Sequence, residues 1–365
     1  MVMFGKGLAT KIGDQIASVG AKKVMLIMGG QSVYKSGAYE QVSQSFKRNG
    51  IEFIEVTGVR SNPRVELVRE AIARLAVTPV DVIVPVGGGS VFDTAKAVAA
   101  GAKYNGDIWD LVKGKSPVTK TLPVMGVLTA SATSSEMNNI AVLSNHETEE
   151  KMSLTSPLLF PKLSIIDPEL QYTLPEHQMV AGGIDAMSHV MERYFEGNEV
   201  PELLLDQYEA LLRSMLRCIP ELRLNPRNYD ARAQYAWTAA LCHNGSLSCG
   251  LKNRGDFASH KLGHALSLFY DTSHGNSLSI MMLAWIEYVS KFNPVPFERF
   301  FKNIMDLDEL RRTFRSWGAP ITLREIKVPE SDIDKITDNV TKSAPMGTIK
   351  VLEREDILEI VKIAW

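Results

Sequence analysis

Three of the seven histidines, His260, His264 and His274, fall within fifteen residues at the end of the stretch from Gly255 to His274. His260 and His264 are spaced i, i+4, so on a helix they share a face. Upstream, Asp185 and His189 repeat that spacing with a carboxylate in place of one imidazole. Imidazoles joined by a single carboxylate suit a borderline divalent metal, Fe(II) or Zn(II). One such histidine alone is as readily a hydrogen-bonded core residue, and it is the two pairs together that favour a metal.

A second kind of chemistry is written in glycine. Val82–Val86 runs into Gly87-Gly88-Gly89-Ser90, and an alanine-rich helical pattern follows through Asp93 and Lys96. Backbone N–H groups at a helix N-terminus, reached through glycine, cradle a phosphate or pyrophosphate. A plain strand-to-helix turn is the alternative, but three consecutive glycines exceed what a turn needs. The run is not GxGxxG, so the usual dinucleotide fingerprint is absent. Gly29-Gly30-Gln31-Ser32 closes an earlier apolar run in the same way. Thr129 to Glu136 is rich in small hydroxyls, which read either as ligand donors or as a capped helix start.

These residues need a scaffold. Short apolar runs at 24–28, 82–86 and 124–128, with a further strand at 52–56, alternate with helical patterns to about residue 170. That is the signature of an open parallel α/β sheet covered on both faces. Pro85 is out of character for a central strand. After Leu174-Pro175 the segments lengthen and take helical periodicity. The expected organisation is a Rossmann-like α/β domain over 1–174 and an all-helical domain over 175–365. The glycine loops lie in the first and the metal-type residues in the second, so a ligand at the sheet's carboxyl edge would meet the metal across an interdomain cleft. A net charge of -2 gives no footprint for nucleic acid or an anionic membrane. No apolar run is long enough for a membrane span. Cys218, Cys242 and Cys249 form no CxxC and leave one over in any pairing, as expected in a reducing cytoplasm.

Taken together, Gly87-Gly88-Gly89-Ser90 with Asp93 and Lys96, Thr133 to Glu136, Gly183-Ile184-Asp185 with His189, and His260-xxx-His264 with His274 resemble the iron-containing (group III) alcohol dehydrogenases. That family has a dehydroquinate synthase-like fold. Gly29 to Ser32, Lys35-Ser36-Gly37 and Asn228-Tyr229-Asp230 are similar to its butanol dehydrogenase and aldehyde reductase branch. The resemblance implies a metal on Asp185, His189, His260 and His274, with His264 near the substrate as a catalytic histidine. It implies NADP, or less favourably NAD, on Gly29, Gly30, Ser32, Gly87, Gly88, Gly89 and Ser90, with Thr129, Thr133 and Lys151 lining the nicotinamide. It also implies a homodimer. Gly30 falls where NAD-preferring relatives often carry an Asp that accepts from the ribose 2′-OH. Its absence removes the repulsion against a 2′-phosphate, which Gln31, Ser32 and Lys35 can bind.

Three features depart from the family pattern. Ser134 stands where glycine is common, Gly263 stands where Glu often precedes the second histidine, and an edge strand before Val2 is expected to be absent. The chemistry implied is hydride transfer between NAD(P)H and a small aldehyde or primary alcohol, with the metal as Lewis acid. The rival readings are a zinc glycerol dehydrogenase-like polyol oxidoreductase, a dehydroquinate-synthase-like lyase, and a metal- and nucleotide-binding protein without turnover. The lyase would need a basic cluster near the ligands that this chain lacks.

Overall fold

The structure, a computed structural model, describes residues 1–196 and 199–365. The chain forms two compact units, one of residues 1–175 with 225–240 and the other of 176–224 with 241–365.

The strands of the first unit are β1 (Val2–Phe4), β2 (Lys23–Met28), β3 (Glu52–Val56), β4 (Val82–Gly88), β5 (Met125–Ala130), β6 (Ile140–Asn145), β7 (Glu150–Thr155) and β8 (Leu163–Ile166). Six of them make one parallel sheet in the order β1-β8-β5-β4-β2-β3. Its helices are α1 (Ile12–Ser18), α2 (Ser32–Lys35), α3 (Ala38–Arg48), α4 (Val65–Val77), α5 (Gly89–Gly101) and α6 (Ile108–Val112). Side chains alternate across a strand, and here the alternation feeds two cores. Val24, Leu26, Met28, Val84 and Val86 pack with Ile12, Ile16, Val42 and Phe46. Met25, Ile27 and Ile83 pack with Val68, Ala71, Ala95 and Val98. Runs apolar at every position are what a sheet buried on both faces requires.

Two local departures have plain causes. Pro85 sits in a central strand, paired with Ile27, because β5 places Gly126 beside it. A Cβ on Gly126 would lie 2.5 Å from Pro85 Cγ. The expected β/α alternation is interrupted by the antiparallel hairpin β6–β7, outside the parallel sheet. The short β1 forms the edge of that sheet, paired in parallel with β8.

The second unit is built from helices α7 (Glu176–Tyr194), α8 (Glu202–Leu224), α10 (Ala258–Tyr270), α11 (His274–Val289), α12 (Val295–Asn303), α13 (Leu307–Ser316), α14 (Ile333–Thr341) and α15 (Arg354–Ala364). Helix α9 (Tyr229–Cys242) gives its residues up to Ala240 to the first unit, where Ala236 and Ala240 pack against Phe92, Leu128 and Ile166. α7 and α11 are buried along most of their length. α11 is mostly apolar, as a helix buried on every side must be, whereas α7 also buries Asp185, His189, Glu192 and Arg193. They approach backbone to backbone. A Cβ on Gly275 would lie 1.9 Å from Ala181 O, so only glycine lets α11 start there. Gly263 on α10 is likewise pressed on α11, with its would-be Cβ 3.2 Å from Ser277 Cβ.

Ser134 occupies the left-handed region, with φ 54°, a conformation that suits glycine. It is fully buried and its Oγ donates to Ala239 O at 2.6 Å. The strain, roughly 1 kcal/mol, is offset by a buried hydrogen bond of about the same size. Ser134→Ala keeps the strain and loses the bond, so it should destabilise by about 1–2 kcal/mol. Ser134→Gly loses both and should stay within about 1 kcal/mol of the parent. Equal melting temperatures for the two variants would contradict this.

Candidate active site

In the second unit, α7 presents Asp185, His189 and Glu192 at i, i+4 and i+7, one face of one helix. α10 presents His260, and His274 opens α11. Asp185, His260 and His274 each offer a donor atom, and these atoms all lie within 4.8 Å of one another. Asp185 Oδ1 stands 3.6 Å from His274 Nε2 and 3.7 Å from His189 Nδ1. Those spacings are long for hydrogen bonds. They fit donors around a tetrahedral ion with bonds of about 2.1 Å, which lie roughly 3.4 Å apart.

His189 adjoins this group of three rather than belonging to it. Its ring lies 4.6 Å from that of His260 and stacks on His243 at 4.1 Å. Burial, and then the neighbouring His243, His260, Arg193 and His274, hold its pKa well below 6.5. It is therefore neutral, the form in which an imidazole binds metal. His264 lies one turn beyond His260, half-buried, with its ring 5.9 Å from that of His274.

The residues fit a cation. His260 Nε2 and His189 Nδ1 are buried nitrogens with no hydrogen-bond partner. Leaving such atoms unpaired costs about 1–3 kcal/mol each, a cost that a metal would remove.

In the first unit, Gly87 and Gly88 end β4 and Gly89 and Ser90 open α5. The N-terminus of α5 carries no side-chain cap and no acid in its first turn, as an anion cradle requires. Two of the three glycines also answer to neighbours. A Cβ on Gly87 would lie 2.4 Å from Val91 Cγ2, and one on Gly89 would lie 2.1 Å from Thr133 Oγ1. Gly30 meets nothing within 4 Å, and Gln31, Ser32 and Lys35 around it are exposed.

The loop of residues 57–64 gathers most of these pieces. Gly58 N donates to Gly29 O, Ser90 Oγ to Ser61 O, and Lys151 Nζ to Asn62 Oδ1 at 3.0 Å. All of this lies at the carboxyl ends of β2 and β4, where open α/β sheets bind ligands. Thr129 lies on β5 near its carboxyl end. Nothing in the sequence spacing marks Ser61 and Asn62, and only the fold brings them to this cluster.

Beneath the loop, buried Lys96 donates to Ser135 Oγ, Asn138 Oδ1 and Ile140 O at 2.8–3.0 Å. Asn138 in turn donates to Thr133 O, and Asp93 accepts from Ser135 Oγ. Burial pushes Lys96 down to about 8 and Glu136 up to about 7. Asp93 and Lys96 thus brace Thr133 over Gly89.

The family model of iron-containing alcohol dehydrogenase matches residues 1–168, and that of the Fe-containing alcohol dehydrogenase C-terminal region matches residues 179–365. The chain belongs to the iron-containing alcohol dehydrogenase family. It is 36% identical to the probable NADH-dependent butanol dehydrogenase 1 of Bacillus subtilis, over 99% of this chain and 96% of that protein. It is 34% identical to the NADPH-dependent aldehyde reductase YqhD of Escherichia coli, over 78% of this chain and 73% of that one. The crystal structure of NADH-dependent butanol dehydrogenase A from Thermotoga maritima superposes with a TM-score of 0.96. It is 43% identical, and the match covers all of this chain and 96% of that one. The protein is accordingly an NAD(P)-dependent dehydrogenase/aldehyde reductase of this family, with an Asp/His/His metal site. No helix among the described residues is long and apolar enough to cross a membrane.

Proposed function

We propose that the protein interconverts a small aliphatic aldehyde and its primary alcohol, preferring NADPH, with Fe(II) or, less favourably, Zn(II) on Asp185, His189, His260 and His274. The observation that carries this reading is the convergence of the Asp185, His260 and His274 donor atoms, with His260 Nε2 buried and unpartnered. A metal held there acts as a Lewis acid on the carbonyl oxygen, and a bound nicotinamide supplies the hydride. The chain's own residues do the rest. Asp185 contributes the one carboxylate of the set, so an ion there keeps net positive charge. His189 stays neutral and ready to bind. His264, half-buried beside His274, is the side chain placed to pass a proton to the product oxygen. The glycine loop Gly87 to Ser90 takes the pyrophosphate, and Thr129, Thr133 and Lys151 line the nicotinamide end.

NADPH oxidation with butanal and a panel of other aldehydes, with and without added Fe(II) or Zn(II), tests the reading. Metal-dependent turnover of butanal is expected. Turnover confined to polyols would favour a glycerol dehydrogenase-like enzyme, and binding without turnover would reduce the protein to a metal and nucleotide binder.

The NADPH preference rests on Gly30, whose side is open, and on exposed Gln31, Ser32 and Lys35. Gly30→Asp fits without a clash and sets a carboxylate against a 2′-phosphate. It should shift the kcat/KM ratio toward NADH by about tenfold or more, about 1.4 kcal/mol. A parent ratio that already favours NADH, as the Bacillus relative's name would suggest for that protein, or an unmoved ratio in the variant, would show the ribose to lie elsewhere. Three cysteines without a disulfide fit a cytoplasmic protein. A homodimer is also proposed, and a monomeric mass at micromolar concentration would refute it.

A further inference from the structure

We infer that Glu192 is a positioning residue for the metal: it holds His260 in the one tautomer and ring orientation that present a bare Nε2 to the ion. Glu192 is fully buried, two turns beyond Asp185 on the same face of α7. Its Oε1 accepts from three donors of α10: Ser259 Oγ, His260 N at 3.2 Å and His260 Nδ1 at 3.0 Å. A carboxylate oxygen facing a ring nitrogen accepts, so the His260 proton sits on Nδ1. Nε2 is then the lone-pair nitrogen, and it is the buried nitrogen with no partner.

The backbone contact adds a second constraint. The same oxygen that takes the ring proton also takes the amide of His260, so ring and backbone are locked to one point on α7. α7 thereby supplies Asp185 and also orients the ligand contributed by α10. A carboxylate bonded to the far nitrogen of a ligating imidazole raises its basicity, and loss of such a partner typically costs about 10–100-fold in metal affinity. This inference rests on His260 being a ligand, so the His260→Ala variant serves as the check on that premise.

The test measures metal affinity by chelator competition, using Zn(II) and Co(II), in the purified full-length protein. Glu192→Leu should weaken both ions about 100-fold and alter the visible spectrum of the Co(II) form. Glu192→Gln, whose amide oxygen can still accept from Nδ1–H, should fall between Leu and the parent. Glu196→Gln is the structural control. Glu196 is buried just past the C-terminus of α7 and accepts from Asn253 N and Gly255 N, and no imidazole among the described residues bonds to it. Its affinity should be unchanged. If Glu192→Leu does not fold, nitrogen NMR of the zinc-loaded parent decides: the inference expects the His260 proton on Nδ1. A proton on Nε2 overturns the inference, as does Glu192→Leu binding within about threefold of the parent, or Glu196→Gln losing as much as Glu192→Gln. If His260→Ala itself binds metal normally, the metal-site reading fails first and separately.

Discussion

His274→Ala and His260→Ala are each expected to bring bound metal down to background and to lower kcat at least a thousandfold. A Lewis acid at a carbonyl is worth several kcal/mol of transition-state charge stabilisation, and about 4 kcal/mol is a factor of a thousand. The two variants differ in what else they disturb. His260 is buried against Glu192, so removing its ring leaves a buried carboxylate without that partner and should also lower the melting temperature. His274 is partly exposed at the start of α11, so its truncation should leave the fold nearly intact and isolate the loss of metal. His177→Ala is the control, an exposed imidazole near the beginning of α7. Metal analysis and activity on all three decide the matter. Full occupancy in either His260→Ala or His274→Ala would remove that residue from the ligand set.

Gly88→Val should abolish cofactor binding at ordinary concentrations, raising Kd for the nicotinamide cofactor at least about 100-fold, or about 2.7 kcal/mol. Among the three glycines only this one gives a clean experiment. Side chains at Gly87 or Gly89 would run into Val91 or Thr133 and disturb the fold before they reached any ligand. At Gly88 the φ of -85° is open to any residue, and the new Cβ would meet Ala130 Cβ at 3.1 Å, a contact relieved by a few tenths of an ångström. The branched side chain then occupies the N-cap of α5, where the uncapped N–H groups would receive the pyrophosphate. Unchanged affinity in a folded Gly88→Val variant would mean that the phosphates lie elsewhere. Metal content should be normal in this variant, because every metal-type residue belongs to the other unit.

What was legible in the sequence was whatever has a local period or a fixed backbone demand. Strands β2, β4 and β5 could be read because each is a short apolar run, and a parallel sheet covered on both faces demands just that. β3, Glu-Phe-Ile-Glu-Val at the edge of the sheet, is not such a run. The metal-type residues could be read because Asp185 with His189, and His260 with His264, are i, i+4 pairs, and helix geometry turns that spacing into one face. The glycine loop could be read as a strand opening into a helix.

Other features depend on which residues far apart in the chain become neighbours. No local pattern shows that Pro85 fits a central strand because Gly126 lies beside it, or that Gly87 and Gly89 are required by Val91 and Thr133. The hairpin β6–β7 is held to α5 through Lys96 and Asp93, contacts forty and more residues apart. Part of α9 returns to the first unit, because its apolar stripe at Ala236 and Ala240 finds Phe92, Leu128 and Ile166.

The site divides in the same way. The types of its donors were present in the sequence, but their grouping was decided in three dimensions. Gly275 lets α11 begin against Ala181, which brings His274 within 3.6 Å of Asp185. His189 stacks on His243 beside the group of three. Glu192 carries no motif of its own, and it becomes visible only when α7 and α10 set its carboxylate against the ring of His260. A sequence can show what each residue is able to bind, but which atoms share one point in space depends on long-range packing.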